Sequence, residues 1–267
     1  MFAGNVGVDG IVFPKSHPYY KAPKSVAKEV EKVVEKKLGS KGKRGVALPQ
    51  GTPVSRALTT KVKVLKPVVD RTLAAIDKVH GDGALQSIIV KASKSNKFYG
   101  AYTSQWTRAF DIAINTAMGD HKHLTLAHEI GHWLDHIGLG QSAVWGTTNR
   151  TQEMRAFFDS VLASKEHAKI KAVVDSATIT GADGVVVKLN RNSRAYTYYV
   201  DLLDPKELWA RSYAQYIATR SGDEVLLAEL ARETKKANVF KQWDDDDFAP
   251  IASSIDVLFK SKGWQTK

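Results

Sequence analysis

Apolar positions recur at helical spacing over much of the chain, with two stretches of a different character. Among the lysines and glutamates of residues 25–38, Val26, Val30, Val33, Val34 and Leu38 fall about one turn apart, predicting a short amphipathic helix. From Thr52, Pro53 suits a first helical turn and Val64, Val68, Leu73, Ile76 and Val79 keep the helical period until Gly81-Asp82-Gly83 stops it. One helix with a bend at Pro67 is expected there. Residues 85–90 and 98–115 are rich in β-branched and aromatic side chains, with a turn at residues 103–107, and predict a small sheet. Helical patterns follow over residues 125–137, 151–174, 205–220, 224–237 and 248–262. Between them, Gly181 to Gly184, Val185 to Leu189 and Tyr196 to Leu202 read as a hairpin. Asp244 to Asp247 read as a solvated lead into the last helix, with Asp247 as its N-cap. A helix, then strands, then mainly helices is the order of an α+β fold.

Charge changes this picture at the N-terminus. The 267 residues carry a formal net charge of +11, and counting residues 1–80 gives 16 Lys+Arg against 6 Asp+Glu, a net of +10. Ten of those cations lie between Lys15 and Arg44, among prolines and glycines. Residues 1–50 therefore read as a basic arm and residues 51–267 as the folded domain. Clustered lysine attracts phosphate without base contacts, so nucleic acid or another anionic surface is a possible partner of the arm. Apolar runs fall far short of the roughly 20 residues of a membrane span, so no membrane partner is expected. Residues 1–13 lack a basic start before an apolar core, so no signal peptide is expected. With no cysteine in the chain, a metal site would have to be built from His, Asp and Glu.

His128-Glu129-Ile130-Gly131-His132 is such a pattern, an H-E-x-x-H inside a helical stretch. Residues four apart share a helix face, so His128 and His132 can offer both imidazoles to one ion. Glu129 sits at the edge of that face, where its carboxylate reaches a water beside the metal without ligating. Ala127, Ile130, Leu134 and Ile137 form the opposite, core-facing stripe.

A catalytic zinc typically takes a third protein ligand, and several residues compete for the role. His136 continues the series, but at 1.5 Å per residue it lies about 12 Å along the helix from His128. Asp201 and Asp204 lack the surrounding motif of a known aspartate-ligated class. Glu153 follows His132 by 21 residues but opens a peripheral, lysine-rich helix. Glu207 opens a helix in which Ala210 and Ala214 would let its backbone come close to the His128 helix, and it is the preferred ligand.

The segment from Gly100-Ala101-Tyr102 through Phe110 to Asn115, then Leu124 to His136, then Glu207 to Tyr216 resembles gluzincin-type metallopeptidase domains. It is most similar to lethal-factor-like domains and to those of phage or mobile-element large polyvalent proteins, whose third ligand begins an E-x-x-A-R helix. The resemblance spans roughly residues 85–264. Arg211 departs from the thermolysin pattern, which has Asp four residues after the ligand. The resemblance implies a zincin-like fold with a small, mostly antiparallel sheet packed on the active-site helix and a mainly helical C-terminal part. It implies Zn2+ held by His128, His132 and Glu207, and hydrolysis of a protein or peptide substrate with Glu129 as general base. It also implies that the strand at residues 109–115 borders the cleft and pairs with extended substrate.

Tyr198, Tyr199, Tyr213 and Arg211 are candidate oxyanion donors. Asp135 is a candidate support for a ligand imidazole, while His121 and His123 could brush substrate. The leading expectation is a zinc metalloendopeptidase, cytoplasmic or associated with a phage virion. The alternatives are a non-catalytic zincin-fold virion or nucleic-acid-associated protein acting through its basic arm, and a regulatory protease with one protein target.

Overall fold

A computed structural model describes residues 5–6, 12–13, 53–81, 85–95, 97–117, 119–140, 144–149, 152–181, 184–234 and 242–265. The chain divides into two units, Met1–Arg44 and Gly45–Lys267. In the first, β1 (Asn5–Val6) and β2 (Val12–Phe13) pair antiparallel. The amphipathic helix expected at residues 25–38, and most of the basic arm, lie outside the described residues.

The second unit is α+β, mainly helical with a small mixed sheet. The helix expected across residues 52–81 is shorter. A 3-10 turn (Val54–Arg56) and strand β3 (Leu58–Thr60) come first, and helix α1 spans only Lys66–Asp77. Pro67 lies in its first turn and bends nothing, since a proline there gives up an N–H that has no helical partner anyway. Val64, counted in the helical period, is instead 67% exposed before α1 begins. Strands β4 (Ile88–Ser93), β5 (Gly100–Gln105) and β6 (Arg108–Asn115) complete a sheet of order β3-β4-β6-β5.

The mostly antiparallel sheet that was expected is not what forms. β3 pairs parallel with β4, β4 pairs parallel with β6, and only β5 and β6 are antiparallel. The reason lies in the connections. Helix α1 carries the chain over the sheet and returns it in the same direction, as a helical crossover does. Only β5 and β6 are joined by a tight turn, at Trp106-Thr107, where Trp106 takes a left-handed φ of 53°. Strand β6 is therefore interior, and Ile112, Ala113, Ile114 and Asn115 are buried.

Helix α2 (Lys122–Trp133) runs into a single π turn at Leu134–Gly138, followed by the short α3 (Gly146–Asn149). The expected helix over residues 151–174 is two, α4 (Gln152–Leu162) and α5 (Lys165–Ser176). They part at Ser164, whose hydroxyl accepts from His167 N and caps α5. The hairpin is made by β7 (Thr178–Thr180) and β8 (Val186–Lys188), whereas Tyr196 to Leu202 belong to α6 (Arg194–Leu202). Ser193 caps that helix through Tyr196 N, and Tyr199 and Leu202, three apart, bury against Ile170 and Val173 of α5. These local caps and the 3.6-residue period outweigh the strand preference of the tyrosines.

Helices α7 (Pro205–Ser221), α8 (Glu224–Thr234) and α9 (Asp245–Ser261) close the fold. The cap of α9 is Asp244, which accepts from Asp247 N. The Asp247 carboxylate turns away to accept from Lys165 N and Glu166 N, capping α5 instead. No helix among the described residues is long and apolar enough to cross a membrane.

Helix α7 is buried continuously from Leu208 to Ala218 and packs along α2. The contact is close because Gly131 has no side chain: a Cβ there would stand 3.0 Å from Ala210 Cα and 3.1 Å from the Tyr213 ring. Trp209 Nε1 donates to the Gly131 carbonyl at 2.9 Å, fixing the register of the two helices.

Beneath them, His80 is fully buried against Phe259 and Trp264, with Nε2 2.8 Å from the Tyr213 hydroxyl. Burial pushes its pKa down from 6.5 to about 3. Between those values the unfolded chain binds a proton that the folded chain refuses, so stability falls as pH drops from 6.5 towards 3. The slope contributed is up to about 1.4 kcal/mol per pH unit. His80→Gln, which keeps a hydrogen-bonding group for Tyr213, is expected to flatten this acid limb in denaturant titrations at pH 6.5, 5.5 and 4.5. An unchanged slope would contradict it.

Candidate metal centre

Two helices and one strand build the site. His128 and His132 stand one turn apart on α2, their rings 4.8 Å apart and nearly perpendicular. The N-terminal turn of that helix is pinned by α8. Glu229 accepts from Leu124 N at 2.8 Å and lies 2.7 Å from His123 Nδ1, while Glu233 lies 3.3 Å from His121 Nδ1. A carboxylate at a helix N-terminus satisfies orphan N–H groups and opposes the dipole favourably. His121 and His123 thus face α8.

Glu207 reaches the pair from the first turn of α7, where Pro205 begins the helix and Asp204 caps it through Lys206 N. Its two oxygens lie 3.3 Å from His128 Nε2 and 3.2 Å from His132 Nε2. One ligand atom from each residue falls within 4.8 Å of the others, and among the described residues no other three metal-ligating side chains gather in this way. Burial alone would lower the His132 pKa, but the hydrogen bond and charge of Glu207 outweigh it and hold the imidazole at about 9. Burial would likewise raise Glu207, and the two imidazoles bring it well below the usual carboxylate range. His132 and Glu207 therefore hold each other as an ion pair, with His128 Nε2 against the same carboxylate. Two neutral-capable imidazoles and one ionised carboxylate, facing a cleft, are the donor set of an open zinc site, and the residues fit that metal.

Glu129 lies beside this set without joining it. The side chain is buried, and desolvation raises its pKa against the opposing pull of His128 and His132. Strand β5 runs against it at Gly100, where a Cβ would stand 2.7 Å from Glu129 Oε1. The cleft, about 550 Å3, is bordered by Gly100, Ala101 and Tyr102 of this strand. The bordering edge is thus β5 and not residues 109–115, because β6 has β4 on one side and β5 on the other.

Other residues singled out in the sequence take different places. His136 is buried on the π turn, its Nδ1 2.8 Å from the Tyr102 hydroxyl, its Nε2 on the Trp106 carbonyl, and its ring stacked on Trp145. Both its nitrogens are thereby engaged away from the cluster. Glu153 opens α4 and does not join the cluster. Asp201 and Asp204 border the cleft without ligating positions, and desolvation, with Glu207 and Asp204 nearby, raises the Asp201 pKa.

Asp135 accepts from the N–H and hydroxyl of Thr147, both at 2.7 Å, and so anchors the loop that brings Trp145 to the cleft. Tyr213 is committed to His80. Arg211 donates to the Leu202 carbonyl at 3.2 Å and lies over Trp243. Tyr198 borders the cleft, and its hydroxyl is buried without a hydrogen-bond partner. Trp145 and its Lys206 neighbour, whose Nζ stands 4.0 Å above the indole, were not singled out in the sequence. A lone tryptophan in a loop carries no signal of its own.

No protein-family model, curated protein or solved structure matches the chain.

Proposed function

We propose that the chain is a zinc-dependent peptidase of the gluzincin kind, hydrolysing peptide bonds with Glu129 as general base. The observation that supports this most is the meeting of His128, His132 and Glu207 beside a buried carboxylate and an open strand edge. His128, His132 and Glu207 would hold the metal. A bound zinc ion acidifies water and polarises a carbonyl. Glu129, its pKa raised by burial, takes the proton of the attacking water and returns it to the leaving amine. The outer edge of β5, which pairs with no strand among the described residues, offers backbone groups to an extended substrate, which fixes the scissile bond against Glu129.

The Tyr198 hydroxyl supplies the donor for the developing oxyanion. Tyr198→Phe is expected to lower kcat by about 10²–10³-fold with KM little changed. Equal kcat in steady-state kinetics would remove Tyr198 from that role.

The reading as a whole is tested on the purified chain by metal analysis and by cleavage of a mixed peptide library. About one zinc per chain and chelator-sensitive cleavage are expected. Zinc without cleavage of any peptide, together with a salt-dependent DNA shift lost on deleting residues 1–50, would favour the nucleic-acid-associated alternative that the net +10 of residues 1–80 supports.

A further inference from the structure

The cleft has a second lobe that the proposed chemistry does not use. A cavity of about 340 Å3 adjoins the main cleft, and the two share Gly100, His128, Glu129, Tyr198, Leu202 and Glu207 as a common wall. Tyr99, Leu124 and Ala214 line the new lobe alone and make it apolar. So do Glu233 and Gln242, which bring acceptors. Gln242 Oε1 is buried with no hydrogen-bond partner, and the Glu233 side chain, 4% exposed, has its carboxylate 3.3 Å from His121 Nδ1. A buried acceptor left unpaired costs free energy that a donor brought by a ligand recovers.

Arg211, which also lines the lobe, donates to the Leu202 carbonyl and lies 4.7 Å from the centre of the Trp243 ring. An acidic ligand group would meet Glu233 and Glu207, and a purely apolar one would leave Gln242 unpaired. What fits is an apolar stem ending in a charged donor. Asp201 and Asp204 on the wall of the main cleft add field of the same sign.

We infer that this lobe is the side-chain pocket for a lysine or arginine of the substrate, with Glu233 and Gln242 Oε1 receiving the cationic head and Tyr99, Leu124 and Leu202 sheathing the stem. The inference rests on the peptidase reading for what delivers the side chain, while the selectivity itself is readable by binding alone. The cationic head takes a place on the Glu233 carboxylate beside His121, whose Nδ1 stands 3.3 Å from it.

The test uses the full chain carrying Glu129→Gln, with and without zinc, and fluorescein-labelled alanine decapeptides holding one central lysine, arginine or norleucine. Norleucine has lysine's stem without its charge. Fluorescence anisotropy is expected to give about 10–100-fold tighter binding of the lysine or arginine peptide than of the norleucine one, as for a charge-assisted hydrogen bond. Glu233→Gln should shrink that ratio to within about threefold, and Gln242→Leu should reduce it in the same direction. Thermal unfolding of both variants checks that they are folded.

Equal binding of the three peptides, no binding of the lysine and arginine peptides, or a ratio unmoved in both folded variants would overturn the pocket assignment. Cleavage of the same peptides by the Glu129 protein separates the two readings. Charge-selective binding without cleavage defeats the peptidase and leaves the pocket, and cleavage indifferent to the cation does the reverse.

Discussion

Glu207→Ala is expected to lose the roughly one zinc per chain that we propose the intact three-ligand site holds, measured by elemental analysis after dialysis against buffer with trace zinc. The expectation follows from how the site is divided. His128 and His132 come from one helix, and everything that closes the set comes from Glu207 on another. Without it, two imidazoles remain, with water in place of a charged ligand. The Glu207 side chain is 34% exposed, so its removal leaves no buried cavity, and the helix around it stays packed from Leu208 onward. Circular dichroism should therefore be unchanged. His136→Ala and Glu153→Ala should retain zinc, since neither side chain reaches the cluster. Zinc retained in Glu207→Ala and lost in Glu153→Ala would reverse the ligand assignment.

Glu129→Gln should show the opposite separation, keeping zinc while kcat/KM falls by about 10²–10⁴-fold, the usual contribution of a positioned general base. Glutamine has nearly the same shape, so the close approach of the side chain to Gly100 persists. The charge is what disappears. Because the buried carboxylate carries a desolvation cost that the amide does not, the variant should unfold at an equal or higher temperature. Activity within a few-fold of wild type would remove Glu129 from the mechanism. Loss of zinc would instead make it a ligand.

Much of the site was legible before the structure, for reasons that differ by residue. His128, Glu129 and His132 are legible because their relation is local: a helical period alone puts two imidazoles on one face. Glu207 was legible less directly, through the small residues Ala210 and Ala214 that follow it. The structure brings the backbone of α7 to Gly131, with Ala210 Cα 3.0 Å from where a Cβ would stand. The glycine inside the H-E-x-x-H motif is the matching signal on the other helix.

Where the sequence misled, a local preference met a stronger one nearby. Tyr196 to Leu202 look like a strand but lie in a helix that Ser193 caps and that the Ile170 and Val173 face buries. Asp247 looks like the cap of its own helix but caps α5, because Asp244 stands three residues earlier and takes that place.

The sequence by itself determined the α+β class, most of the helices, the paired imidazoles with their neighbouring carboxylate and the concentration of basic charge in the first third. Each depends on spacing along the chain or on composition, and a single segment carries it. Only the tertiary structure decided the parallel pairing of β3 with β4 and of β4 with β6, the exposure of β5 instead of β6 at the cleft, and the unpartnered hydroxyl of Tyr198. It also decided the lobe lined by Glu233 and Gln242. These join residues as far apart in the chain as Tyr99 and Gln242, and their energies are set by which surfaces exclude water together, a property that no one segment possesses.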